Sequence, residues 1–329
     1  MRIALPFAGA LLAAVSFSAP AGAAAIDCTK AKGAHDTAIC ADPNLRQLDQ
    51  DLAAAYEKLA SAASAAGQAQ VHRDEHDRRA YVEELCQPTD SACLVASYHQ
   101  GVSSATKFAD QAAGSVLVPV ERFRLQNTKD AKTSIVWAFP RLDQPNTPWT
   151  DQFEAAARQA AAALLPEDPD TAAVVDYRPT YLAPDLAAIA FAVATYPHGA
   201  AHGLSQQVSF TYLPTAERGL RPADLFQSGT TWSGFLATRA FEMLGNQASS
   251  GGWTLSISGP GELETIVADP ANWLIHPDGL GLYFAPMSVG PYVAGEHEVL
   301  VPWADLKPYL SATPAFRIPE AAGPPSPSR

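Results

Sequence analysis

The sequence predicts an α+β protein, in which a small disulfide-tied α-helical hairpin domain precedes a mixed α+β domain with a mainly antiparallel sheet. Three observations carry this. All four cysteines, Cys28, Cys40, Cys86 and Cys93, fall in the first third of the chain, among stretches with helical periodicity. After Gly114 the texture changes to short β-rich runs. Helical segments interrupt those runs without the regular alternation of a doubly wound sheet.

The chain opens with Arg2, an apolar run from Ile3 to Phe17, and then Ala21-Gly22-Ala23-Ala24-Ala25, the order of an export signal with a peptidase site. Residues 1–25 are therefore assigned as a signal peptide, with the mature chain beginning near Ala24 to Ile26. The apolar run is shorter than the ~20 residues of a membrane span. No later stretch combines that length with an absence of charge and proline, so the mature protein is expected to be soluble, not membrane-spanning, and periplasmic or secreted. Cys28 follows Ile26-Asp27 rather than standing directly after the small residues, so no lipid anchor is expected.

Residues 26–113 form the first expected domain. From Asp42-Pro43 onward, Leu45, Leu48, Leu52, Tyr56 and Leu59 recur at spacings of three and four, the stripe of an amphipathic helix, with Asp42 as N-cap and Pro43 in the first turn. A second helix is expected from Ala69 to Leu85 and a third from Ala92 toward Ala112, with Gln87-Pro88-Thr89-Asp90 as a turn between them. In an exported protein the cysteines should pair. Three connectivities are possible, and pairing Cys28 with Cys40 and Cys86 with Cys93 is favoured because each closes one short local loop. Zinc would ask for tighter cysteine pairs than these gaps offer, and no metal or other cofactor is expected.

Residues 114–318 form the second expected domain. Strands are read at Val116 to Val120, Ser134 to Phe139, Leu186 to Tyr196, Gln207 to Tyr212, Leu280 to Phe284 and Glu298 to Val301. Helices are read from Thr150 to Leu165, ended by Pro166, and from Thr231 to Leu244. The segment 319–329 is rich in proline and serine and is expected to be disordered.

The formal net charge is -12, which argues against nucleic acid as a partner. There is no G-x-S-x-G elbow, no phosphate loop and no G-x-G-x-x-G after a strand, and no carboxylate pair can be singled out, so no catalytic residue is assigned. His72-Arg73-Asp74-Glu75-His76 spells the H-x-x-E-H of inverted zinc peptidases, but a charged helix in a small disulfide unit is more simply a solvated face. His198 and His202 lie in Tyr196-Pro197-His198-Gly199-Ala200-Ala201-His202-Gly203, where glycine and proline indicate a loop: its plain reading is a turn whose histidines bond to backbone carbonyls, and its functional one is a loop that presents both rings to a ligand or partner. Most of the late aromatics, Trp273, Tyr283, Phe284, Trp303 and Tyr309, read as core. Pro291 and Tyr292, within Val289-Gly290-Pro291-Tyr292-Val293-Ala294-Gly295, instead read as a rigid aromatic loop of the kind that anchors interfaces.

Two resemblances complete the reading. Asp27-Cys28, Ala38-Ile39-Cys40, Leu48-Asp49 leading to Leu52 and Tyr56, Arg79-Ala80-Tyr81 and Cys86 to Cys93-Leu94 resemble the LprI family of bacterial lysozyme inhibitors. His198 to Gly203, Gly219 to Phe226, Asp278 to Phe284, Gly290 to Gly295 and Val301 to Leu310 look like the extracellular domain of the RsiV family, whose members include a lysozyme-binding anti-sigma receptor. Together they imply an exported binder that occupies the cleft of a lysozyme-like glycosidase, with His198, His202, Pro291 and Tyr292 as the candidate partner interface. The alternatives are a peptidoglycan-binding or metal-dependent peptidoglycan-processing accessory protein, or a component of a cell-envelope stress sensor.

Overall fold

The computed structural model describes residues 25–111, 116–127, 132–144 and 148–319. The expected signal peptide and proline-rich tail lie outside these residues, apart from Ala25 and Pro319. Among the described residues no helix is long and apolar enough to cross a membrane.

Four helices come first: α1 (Gly33–Ala41), α2 (Pro43–Ser61), α3 (Ala65–Leu85) and α4 (Ser91–Gln111). Helix α2 starts where Asp42 caps it, accepting from the N–H groups of Asn44 at 2.8 Å and Leu45 at 3.4 Å. Such a cap is worth ~1 kcal/mol. Its stripe Leu45, Leu48, Tyr56 and Leu59 is buried, as the periodicity requires. Cys28 bonds Cys40, fastening the leading segment to α1, and Cys86 bonds Cys93, closing the turn between α3 and α4. The short helix α1 has no apolar stripe of its own and was not legible in the sequence.

The larger sheet has the order β1-β2-β3-β4-β5-β6, with strands Val116–Asn127, Lys132–Gln144, Thr171–Ala183, Leu186–Pro197, Leu204–Leu213 and Arg218–Gly219. Neighbours are antiparallel except β2 and β3, which run parallel through Ile135 to Trp137 against Ala173 to Val175. Helix α5 (Thr150–Ala162) provides the crossover that a parallel pair requires. The fold is thus α+β with a mainly antiparallel sheet. Strand β3 alternates small, polar and aromatic residues without a clean period, and the sequence did not reveal it.

Strand β4 divides its side chains between two cores. Ala187, Ile189 and Phe191 face a core shared with Tyr56, Leu59, Phe108, Phe139, Phe153 and Tyr177. Leu186 and Ala188 join a second core beneath α7 (Trp232–Gly251) and the small antiparallel sheet β7 (Trp273–Ile275), β8 (Gly279–Phe284) and β9 (His297–Pro302). Burial on both faces explains why β4 reads as a continuous apolar run rather than an alternating one. Short helices α6 (Pro222–Leu225), α8 (Glu264–Ala268) and α9 (Trp303–Leu306) close the second core. There Phe226 stacks on Trp232 at 4.4 Å and meets Trp273 edge-on at 5.4 Å.

The division expected near residue 113 falls within 112–115, outside the described residues. On either side of it the chain shares a core: Tyr56, Leu59, Val71 and Phe108 from the helices lie in one cluster with Val118 and Val120 of β1. A polar seam accompanies this packing. Gln70, Asp74 and Arg78, one turn apart on α3, are all buried. Arg78 pairs with Glu121 of β1, Tyr56 donates to Glu121 at 2.5 Å, and the Glu121 N–H donates to Asp74 at 3.0 Å. Part of the charged stretch that reads as a solvated face is therefore its opposite, because each buried charge finds a partner across the helix and sheet boundary. Gly67 belongs to the same contact: a Cβ there would lie 2.6 Å from Asp143 Oδ1, and Asp143 accepts from both the backbone N–H and the hydroxyl of Ser64, each at 2.6 Å.

Candidate binding surface

Two loops meet at one end of the sheets. The first, residues 198–203, joins β4 to β5; the second, residues 285–296, joins β8 to β9 and contains a 3-10 turn at Tyr292–Ala294. Glycine and proline prevent either from continuing a strand, so both leave the sheet edges and project. His202 of the first loop lies against Tyr292 of the second, ring centroids 4.7 Å apart. The carbonyl of Gly203 accepts from both: from His202 Nδ1 at 3.1 Å and from the Tyr292 hydroxyl at 3.3 Å. Since a carbonyl can only accept, His202 carries its proton on Nδ1, and Nε2 is the acceptor, or a donor once the ring is protonated.

The loops are braced from behind. The Tyr283 hydroxyl on β8 donates to Glu296 at 2.9 Å and accepts the Gln207 N–H of β5, also at 2.9 Å, so one buried hydroxyl ties both loop bases together. Burial pushes this phenol well above its ordinary range, and the bond to Glu296 adds to the effect, so it stays a neutral donor. Val289 is fully buried, and its carbonyl accepts from Ser256 N–H at 2.9 Å. At Gly290 the backbone passes against Trp253, where a Cβ would come within 2.6 Å of Cζ3. Trp253 in turn stacks on His297 at 4.3 Å, and burial holds that imidazole below its usual range.

What these braces carry is an exposed apolar rim. Val293 is 89% exposed, Met287 58%, Tyr196 49%, Leu204 49% and Tyr292 46%. Tyr196 packs beside Gly203 and donates to the Ala200 carbonyl at 2.8 Å, so it flanks the same contact. Met287 holds a positive φ of 67°, unusual for a side chain of its size. Pro291 is exposed beside Tyr292. The structure therefore brings His202, Pro291 and Tyr292 together, while His198 opens its loop with its N–H donating to the Asp170 carbonyl at 2.9 Å. Tyr196, Leu204, Met287 and Val293 were missed by sequence reasoning: each is an isolated apolar residue at a strand end or in a turn, where periodicity carries no signal.

Elsewhere, His276 on the β7 to β8 turn bonds Glu298 of β9 at 2.8 Å, with Arg178 3.7 Å from the same carboxylate. The bond to His276 holds Glu298 below the usual carboxylate range. On α3, His76 is exposed and His72 half-buried, with the buried Asp74 between them engaged in the polar seam. Among the described residues no group of three His, Cys, Asp or Glu side chains is arranged to hold a metal ion.

Residues 223–304 match the DUF3298 family, described as a protein of unknown function. The match includes Met287, Pro291, Tyr292 and Val293, whereas Tyr196, His202 and Leu204 precede it. Two solved structures of that family are similar. One, from Bacteroides fragilis, is 14% identical with a TM-score of 0.42, covering 61% of this chain and 96% of its own. The other, from Pseudomonas aeruginosa, is 14% identical with a TM-score of 0.43, covering 62% of this chain and 97% of its own. No curated protein matches the chain.

Proposed function

We propose that the protein is an exported binding protein, periplasmic or secreted, that inhibits a lysozyme-like cell-wall glycosidase by filling its cleft with the rim formed by the two loops. The observation that carries this reading is the braced, exposed cluster of His202, Tyr292 and Val293. Exposed aromatic and apolar side chains on a rigid support lose little conformational freedom on binding, which is what an interface anchor requires.

Inhibition by occlusion needs no catalytic residue, cofactor or metal. It needs a projection that enters a groove and a polar group to answer the acidic pair of a glycosidase. Val293 and Tyr292 supply the projection. His202 Nε2 supplies the polar group when the ring is protonated. The acidic balance of the chain, -12 overall, favours approach of a basic enzyme. Two disulfides suit an oxidising compartment. The DUF3298 match overlaps the stretch that resembles RsiV, whose C-terminal domain is related to that family, and the four-cysteine helices resemble the LprI inhibitors.

The test is calorimetric titration of the oxidised protein with c-type, g-type and i-type lysozymes beside a wall-lysis assay at two salt concentrations. Micromolar or tighter binding with loss of lysis, weakened by salt, supports the reading. Absence of heat and of inhibition with all three overturns it, and peptidoglycan fragments are then the ligands to titrate.

A further inference from the structure

Beneath the helical segment the backbone nitrogen of Ile26 points at a buried carboxylate. Ile26 N lies 2.6 Å from Asp49 Oδ2, and Asp49 is 3% exposed. The other oxygen, Oδ1, accepts from the Tyr98 hydroxyl at 3.1 Å and lies 3.6 Å from Arg79 Nη2, leaving Oδ2 to Ile26. The Ile26 side chain packs into the cluster of Ile39, Leu45, Leu48 and Leu94, and the Cys28 to Cys40 disulfide pins the chain two residues later. Position and direction of this nitrogen are therefore fixed by three independent contacts.

The surroundings are short of positive charge. Asp36, Glu75 and Glu83 line the same enclosure as Ile26 and Arg79. Its second guanidinium, Arg78, is engaged by Glu121, and the His35 ring contacts the Cys86 carbonyl at 2.9 Å. A neutral amide N–H answers one lone pair of Asp49. An ammonium would answer its charge as well, and a buried carboxylate whose single cation, Arg79, is part-exposed and shared with Glu75 gains from that.

The residues before Ile26 are Ala23-Ala24-Ala25, small side chains at the two positions that a signal peptidase reads. We propose that the Ala25–Ile26 bond is the processing site and that the α-ammonium it releases seats on Asp49, so that removal of the leader completes the fold of the helical segment. The bond is hydrolysed by one water: its hydroxyl goes to the Ala25 carbonyl, which leaves with the leader as a carboxylate, and the Ile26 nitrogen takes up protons to become an ammonium. This inference rests on the export reading above and goes beyond it, because it gives the cut a structural receptor within the mature protein.

The test uses the full chain expressed with its own leader in a Gram-negative host. The N-terminus of the exported protein is read by intact mass and sequencing, and the α-amine is titrated by its rate of acylation against pH. Two variants accompany it: Asp49→Asn, and an insertion of Gly-Ser between Ala25 and Ile26, which moves the new ammonium by about 7 Å. The expected result is a start at Ile26, with an α-amine pKa at least about one unit above the ordinary ~7.7–8.0, returning to the ordinary range in both variants. The insertion keeps Asp49, so it decides the matter if Asp49→Asn does not fold. A start at Ile26 with an ordinary amine overturns the proposal, as does a start at any other residue. A chain that keeps its leader overturns the export reading as well. A seated ammonium in a protein that binds no lysozyme leaves this inference standing and removes only the partner.

Discussion

His202 and Tyr292, on loops from different sheets, lie with ring centroids 4.7 Å apart and planes 31° from parallel, and both donate to the carbonyl of Gly203. The contact joins a β4 to β5 turn to a β8 to β9 turn, so neither loop can move without disturbing the other. A surface of this kind is pre-organised, and its side chains can be tested one function at a time.

Tyr292→Ala is expected to weaken binding to a lysozyme-like partner by about 2 kcal/mol, or ~30-fold, the scale of an anchor residue. Tyr292→Phe keeps the ring and removes only the bond to Gly203, and should stay within a few-fold of the parent. Equal losses in both variants, measured by calorimetry, would show that the hydroxyl rather than the ring carries the contact.

Arg78→Met leaves Glu121 buried without its partner, 3% exposed in its side chain and beside Asp74. Urea denaturation should show a loss of about 3–5 kcal/mol. The double variant Arg78→Met with Glu121→Met removes both charges and should recover part of that loss. A single-variant cost under about 1 kcal/mol would place the pair in the surface range instead.

Gly290→Ala puts a methyl group 2.6 Å from Trp253 Cζ3. Overpacking of this kind costs about 1–3 kcal/mol. Near-ultraviolet circular dichroism should report the displaced indole, and the loop bearing Tyr292 should shift with it. An unchanged spectrum and melting temperature would refute the close approach.

Glu298 is held below the ordinary carboxylate range chiefly by its bond to His276. A group whose folded pKa is depressed contributes stability that is fully present above its unfolded value and is lost as pH falls through the folded one. Denaturation curves from pH 7 downward should therefore be flatter on the acid side for Glu298→Gln than for the parent. Superimposable curves would remove the pair from the account.

Replacing Cys86 and Cys93 together by alanine opens a loop with a sequence separation of 7 residues. The chain-entropy estimate for a loop of that size is about 2.5 kcal/mol. The measured loss of urea stability should be of that order, and a loss near zero would mean that α3 and α4 hold their turn without the bridge.

The sequence by itself determined the fold class, the helical character of the cysteine-bearing segment, and the strands that alternate or run continuously apolar. Periodicity and caps are local, so Leu45, Leu48, Tyr56 and Leu59, together with Asp42 and Pro43, were readable without a partner in view. Turn chemistry marked the loops of His202 and Tyr292 for the same reason. Tertiary structure decided the rest. Asp74, in the stretch His72 to His76 that reads as a solvated face, is buried between Gln70 and Arg78 once Glu121 arrives from β1, because the burial of a charge depends on a partner distant in sequence. That Tyr292 meets His202 rather than the core depends on how two sheets place their turns. The exposure of Val293, Leu204 and Tyr196 likewise follows from which side of each strand end is covered, and no local pattern encodes it.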